Sequence, residues 1–107
     1  MLLEEYKTNT FNASDQDGLV ILDFYADWCG PCRKMKQTFK QLQDDNVNLT
    51  IYKVNADNAV DLCSKYGVRS LPTMLFFTPD SEDPKIRKVG FQTPEQIITA
   101  ASEARGL

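Results

Sequence analysis

The sequence predicts an α/β fold of three layers, a central mixed β-sheet with helices on both faces, and three observations predict it. The run Leu19-Val20-Ile21-Leu22-Asp23-Phe24-Tyr25 is β-branched and aromatic enough for a strand buried on both faces, as in a parallel sheet. Directly after it the apolar period turns helical. Cys32, Met35, Phe39 and Leu42 recur on one face, while Arg33, Lys34, Lys36, Lys40 and Gln41 cover the other. Further strand and helix signals alternate until a closing hairpin and helix, which makes the sheet mixed rather than wholly parallel. The 107 residues read as a single domain, 1–107, large enough to bury a core without staples.

In chain order, residues 2–6 suit a short edge strand. Residues 8–18 are polar and turn-rich, with room for at most a short helix around 11–15. The central strand and the long helix follow, the helix fading at Asp44-Asp45-Asn46. Residues 48–54 read as another strand. Asp57 is placed to cap a short helix that runs to Lys65 and stops at Gly67, with Val60 and Cys63 on one face. Beyond Pro72, Met74-Leu75-Phe76-Phe77 is a strand, and residues 85–89 are its antiparallel neighbour across the acidic loop 78–84. Thr93-Pro94-Glu95-Gln96 is a helix start with a cap, a first-turn proline and a glutamine reaching back. Ile97, Ile98, Ala101 and Ala104 are expected to face inward, and Gly106 to end the helix. No repeat, linker or low-complexity segment interrupts this order.

The chemistry gathers at Trp28-Cys29-Gly30-Pro31-Cys32, where the central strand gives way to the long helix. Backbone N–H groups at a helix start lack partners and carry partial positive charge, so they favour a thiolate over a thiol at Cys29. Cys29 is therefore the candidate nucleophile and Cys32, further along the helix and expected to be the less exposed, its resolving partner. Zinc needs four ligands, and the chain has three cysteines and no histidine. A purely structural disulfide closing so short a loop would restrain the unfolded chain little. Asp23, in an otherwise apolar strand, is either an edge or satisfied interior acid or a group with a task. Lys53 reads equally as a solvated strand lysine. Cys63, outside the motif, reads as a small buried hydrophobe, with a regulatory thiol as the minority reading.

Composition narrows the partners. A net charge of -3 argues against general binding to nucleic acid or to an anionic membrane, both of which favour a basic face. Three cysteines are too few for a secreted disulfide scaffold. Met1-Leu2-Leu3-Glu4-Glu5 puts acids where a secretory signal carries basic residues, and no apolar run reaches membrane-spanning length, so the cytoplasm is the expected compartment.

The stretch Phe24-Tyr25-Ala26-Asp27-Trp28-Cys29-Gly30-Pro31-Cys32-Arg33-Lys34, with Arg69-Ser70-Leu71-Pro72-Thr73 much later, closely resembles the thioredoxin family, and the likeness extends over nearly the whole chain. The resemblance implies the thioredoxin fold and a general protein-disulfide reductase acting through a reversible Cys29/Cys32 couple, with the Gly-Pro dipeptide matching the reducing members. It implies that Asp23 is a buried general acid/base serving Cys32, and that Lys53 neighbours and tempers it. Trp28, Gly30, Pro31, Leu71, Pro72, Gly90 and Phe91 match the family's docking surface, with Leu71-Pro72 as its cis-proline bond; Phe91 could equally fill the core. Disulfide-containing proteins are the implied substrates, and thioredoxin reductase or an equivalent the implied donor. No cofactor, nucleic acid or membrane is implied, and a monomer is expected.

Three features depart from the family. Residues 8–18 look abbreviated, the loop 78–84 is long and lacks a turn glycine, and Gln37 stands where many members carry a helix-kinking proline. Tyr25-Ala26-Asp27-Trp28-Cys29, with Arg33 and then Thr38-Phe39 in the helix, also resembles the thioredoxin-like domain of membrane thiol:disulfide interchange proteins. Two alternatives accompany the general reductase: a dedicated relay or interchange domain with narrow partners, and a docking module of a larger assembly.

Overall fold

Five strands hydrogen-bond in the order β1-β3-β2-β4-β5 in the computed structural model, which describes residues 1–107. They are β1 (Leu2–Glu5), β2 (Val20–Tyr25), β3 (Thr50–Asn55), β4 (Thr73–Phe77) and β5 (Ile86–Val89). β1 and β2 flank β3 in parallel, β4 runs antiparallel to β2, and β5 antiparallel to β4. The fold is the expected mixed three-layer α/β architecture.

β2 is central, and its alternate side chains divide the core. Ile21 joins Ile51, Met74 and Phe76 under two helices, α1 (Gly30–Asp44) and α3 (Pro94–Ala104), which supply Met35, Phe39, Leu42, Ile97 and Ala101. Val20, Leu22 and Phe24 face the other way, against Leu62 and Tyr66 around α2 (Val60–Lys65) and against Phe11. Burial on both faces is what a strand apolar but for Asp23 requires.

Phe11 anchors the segment between β1 and β2, which folds no further than a 3-10 turn at Ala13–Asp15. Its ring lies 4.9 Å from that of Phe77 and 6.0 Å edge-on from that of Tyr6. The acidic loop is tied to the same turn, because the Glu82 carboxylate accepts from the backbone N–H groups of Ala13 and Ser14, each at 3.2 Å. α1 runs unbroken through Gln37.

Three expectations about helix faces and ends are corrected. Ile98 is exposed, and Ala100 takes its place inside. The buried stripe Ile97, Ala100, Ala101 and Ala104 follows i, i+3, i+4, i+7, and Ile98 lies about 100° around the helix from its start. Asp57 does not cap α2. Residues Ala56–Asn58 form a 3-10 turn held by the Asn55 side chain, and α2 begins after Ala59 without a side-chain cap. Val60 is exposed rather than paired inward with Cys63, since the inner face is set by Ala59, Leu62 and Tyr66; Cys63 lies half-buried at its flank. The capping box at Thr93 is present in full: Gln96 N–H donates to the Thr93 hydroxyl at 3.2 Å and Thr93 N–H to the Gln96 side chain at 2.9 Å.

Candidate functional site

Cys29 is the N-cap of α1, with extended backbone dihedrals, and its sulfur accepts from Cys32 N–H at 3.2 Å. Gly30 and Pro31 form the first turn, where a proline loses no helical hydrogen bond. The local sequence therefore ends a buried strand, turns through Ala26, Asp27 and Trp28, and starts a helix with a sulfur at its positive end. Cys29 and Cys32 are joined as a disulfide, their Cα atoms 5.2 Å apart. Cys32 is not the less exposed of the two: Cys29 is 5% and Cys32 8% exposed, because the bridge tucks both sulfurs against Ala26 and Leu71.

Trp28 is 69% exposed beside the disulfide, and its indole N–H donates to the Asp57 carboxylate at 3.1 Å. Of the other residues expected at a docking surface, Gly30, Pro31 and Phe91 are exposed and Leu71 and Gly90 partly so. Pro72 is buried. The Leu71-Pro72 bond is cis, and the Pro72 carbonyl accepts from Gly90 N–H at 2.8 Å, which fastens the two loops together. Phe91 is 42% exposed and does not fill the core.

Asp23 is 1% exposed, and its Oδ1 has no hydrogen-bond partner. Burial pushes its carboxyl up to about 7; the nearby Lys53 opposes this and Glu5 adds to it. Lys53 stands directly across from Asp23 in the β2–β3 register, as a tempering role requires. Its ammonium lies 4.0 Å from Glu5 Oε1 and 4.4 Å from the centre of the Tyr25 ring, and makes no ion pair with Asp23. Tyr25 in turn donates its hydroxyl to Glu5 at 2.6 Å. Cys32, Arg33, Lys36 and these three residues line a cleft of about 370 Å³.

Asp57, Glu5 and Tyr25 also neighbour the site, and no local sequence signal marks them as doing so. Asp57 and Trp28 are far apart in the chain and meet only through the fold. Glu5 shares a sheet row with Lys53, which could be found only with the β1–β3 register in hand.

A buried disulfide at a strand-to-helix junction, with a buried acid in the strand that leads to it, defines a thiol-disulfide domain. A family described as Thioredoxin matches residues 3–103. A thioredoxin of Borreliella burgdorferi is 41% identical over 81% of this chain and 74% of that one. A peptide-N(4)-(N-acetyl-beta-glucosaminyl)asparagine amidase of Caenorhabditis briggsae is 40% identical over 69% of this chain but only 12% of its own length. The chain spans between 11% and 50% of the length of the nematode relatives it matches. Among solved structures, a mutant thioredoxin from Halobacterium salinarum superposes with a TM-score of 0.77 at 27% identity, over 99% of this chain and 91% of that one. The chain belongs to the thioredoxin family.

Proposed function

We propose that the protein is a general protein-disulfide reductase, residues 1–107 acting as one monomeric domain. The observation that carries this reading is the Cys29–Cys32 disulfide with Cys29 as the cap of α1. In the dithiol form, the Cys29 thiolate attacks one sulfur of a substrate disulfide, forming a mixed disulfide and expelling the other sulfur as a thiolate. Cys32 then gives up its proton and attacks Cys29, which releases the second substrate thiolate and leaves Cys29–Cys32 oxidised. Two electrons have passed to the substrate. A separate donor, thioredoxin reductase or an equivalent, returns them, which makes the protein an electron carrier.

Asp23 is assigned as the group that takes the proton from Cys32, supported by its burial and by a carboxyl pushed up to about 7. Lys53 is assigned the tempering of that acid, supported by the register. Trp28, Gly30, Pro31, Leu71, Gly90 and Phe91 are assigned to substrate contact, with Pro72 as their support. Small and apolar residues around the sulfur suit a protein that must accept many partners. No helix is long and apolar enough to cross a membrane. The reading places the protein in the cytoplasm, which its modest cysteine content supports.

The match to a small part of an amidase favours a second reading, a relay domain of the same chemistry dedicated to narrow partners. Reduction of insulin, followed with NADPH and a thioredoxin reductase, tests the first. Catalytic turnover is expected, and turnover of neither insulin nor small disulfides by any donor would overturn it.

A further inference from the structure

Three strands place Glu5, Lys53 and Asp23 in one row. Glu5 pairs with Lys53 between β1 and β3, and Lys53 with Asp23 between β3 and β2, so in this parallel arrangement their side chains leave the same face of the sheet. Tyr25, two residues beyond Asp23, leaves that face too. The sole carboxylate in ion-pair contact with Lys53 is Glu5, although Asp23 is its immediate neighbour in the row. The Tyr25 ring lies under the ammonium and its hydroxyl fixes the Glu5 carboxylate.

We propose that Glu5 is a positioning residue for the disulfide exchange: held by Tyr25, it draws the Lys53 ammonium away from Asp23 and so strengthens the hold of Asp23 on a proton. This rests on the reading of Asp23 as the proton acceptor for Cys32. Engaged with Glu5 and the Tyr25 ring, Lys53 offsets the burial of Asp23 only in part, and Oδ1 of Asp23 has no hydrogen-bond partner to offset the rest. The remaining groups around Asp23 do not replace Lys53. β4 offers the uncharged Met74 and, one strand further, Lys88 on β5. The bridged cysteines at the start of α1 carry no charge. Asp27, Arg33 and Lys36 stand exposed around the cleft, where solvent screens them.

The test is the pH midpoint of the Asp23 carboxyl, read by carbon NMR on the oxidised protein, in wild type, Glu5→Gln, Lys53→Gln and the double variant. Glu5→Gln keeps an acceptor for the Tyr25 hydroxyl and removes only the charge, at an exposed position where folding is not at risk. With Lys53 released to face Asp23, the midpoint should fall by about half to one pH unit, the size of one charge acting across neighbouring strands. The pH profile of mixed-disulfide resolution should move down with it. Lys53→Gln should raise the midpoint, and Glu5→Gln should then have a smaller effect in that background. An unmoved or raised midpoint in Glu5→Gln, or an equal fall with and without Lys53, would overturn the proposal. Insulin reduction by the wild type keeps the two claims apart: its absence removes the reductase reading, whereas its presence with an unmoved midpoint removes this inference alone.

Discussion

Asp23 gives the fold a pH dependence whose sign follows from where its proton resides. The carboxyl titrates near 7 in the folded chain and near its ordinary 3.8 when unfolded, so between those values the folded state binds the additional proton. Stability is then fully present below about pH 4, falls as pH rises towards 7, and stays lowered above it, by roughly 4 kcal/mol for a difference of this size. Asp23→Asn removes the buried charge and should stabilise the oxidised protein by about 2 to 4 kcal/mol at pH 8, with the gain vanishing near pH 4. Urea unfolding at several pH values checks this, and a difference independent of pH would count against an ionising buried acid. The same variant should leave the initial attack by Cys29 largely intact while slowing resolution by Cys32. Single-turnover kinetics separate the two steps, and equal losses in both would remove Asp23 from its role.

Helices and strands were legible in the sequence wherever one local rule decided them. Thr93, Pro94 and Gln96 announce α3 because cap, proline and return bond all lie within one turn, and the structure contains each. Thr93→Ala should therefore cost about 1 kcal/mol, read as a lower denaturation midpoint with an unchanged slope. An unaltered midpoint would show that packing of Ile97 and Ala101 alone fixes the helix. Where two local rules compete, the outcome is not legible in the sequence. Asp57 resembles a cap, but Asn55 caps a 3-10 turn first and leaves Asp57 for Trp28. Ile98 resembles a core residue by type, yet the narrow stripe of small side chains that lets α3 lie close to the sheet leaves it outside.

Across the whole molecule, the order of layers and the placing of the dithiol follow from hydrophobic period and from the Cys29-Gly30-Pro31-Cys32 run, both local signals. Contacts between distant segments were not legible in the same way. The Glu5–Lys53–Asp23 row depends on which strands become neighbours, and Phe11 becomes a core residue only because Phe77 lies against it. The bridged form also hides the difference between the sulfurs, since both are buried to a similar degree. Their inequality comes from position: Cys29 caps the helix beside Trp28, and Cys32 lines the cleft with Lys36 and Lys53. Trapping of mixed disulfides with substrate proteins tests that inequality most directly. Cys32→Ser should accumulate them, because attack proceeds and resolution cannot, whereas Cys29→Ser should trap few; equal trapping by the two variants, or trapping by Cys29→Ser alone, would contradict the assignment of Cys29 as the attacking sulfur.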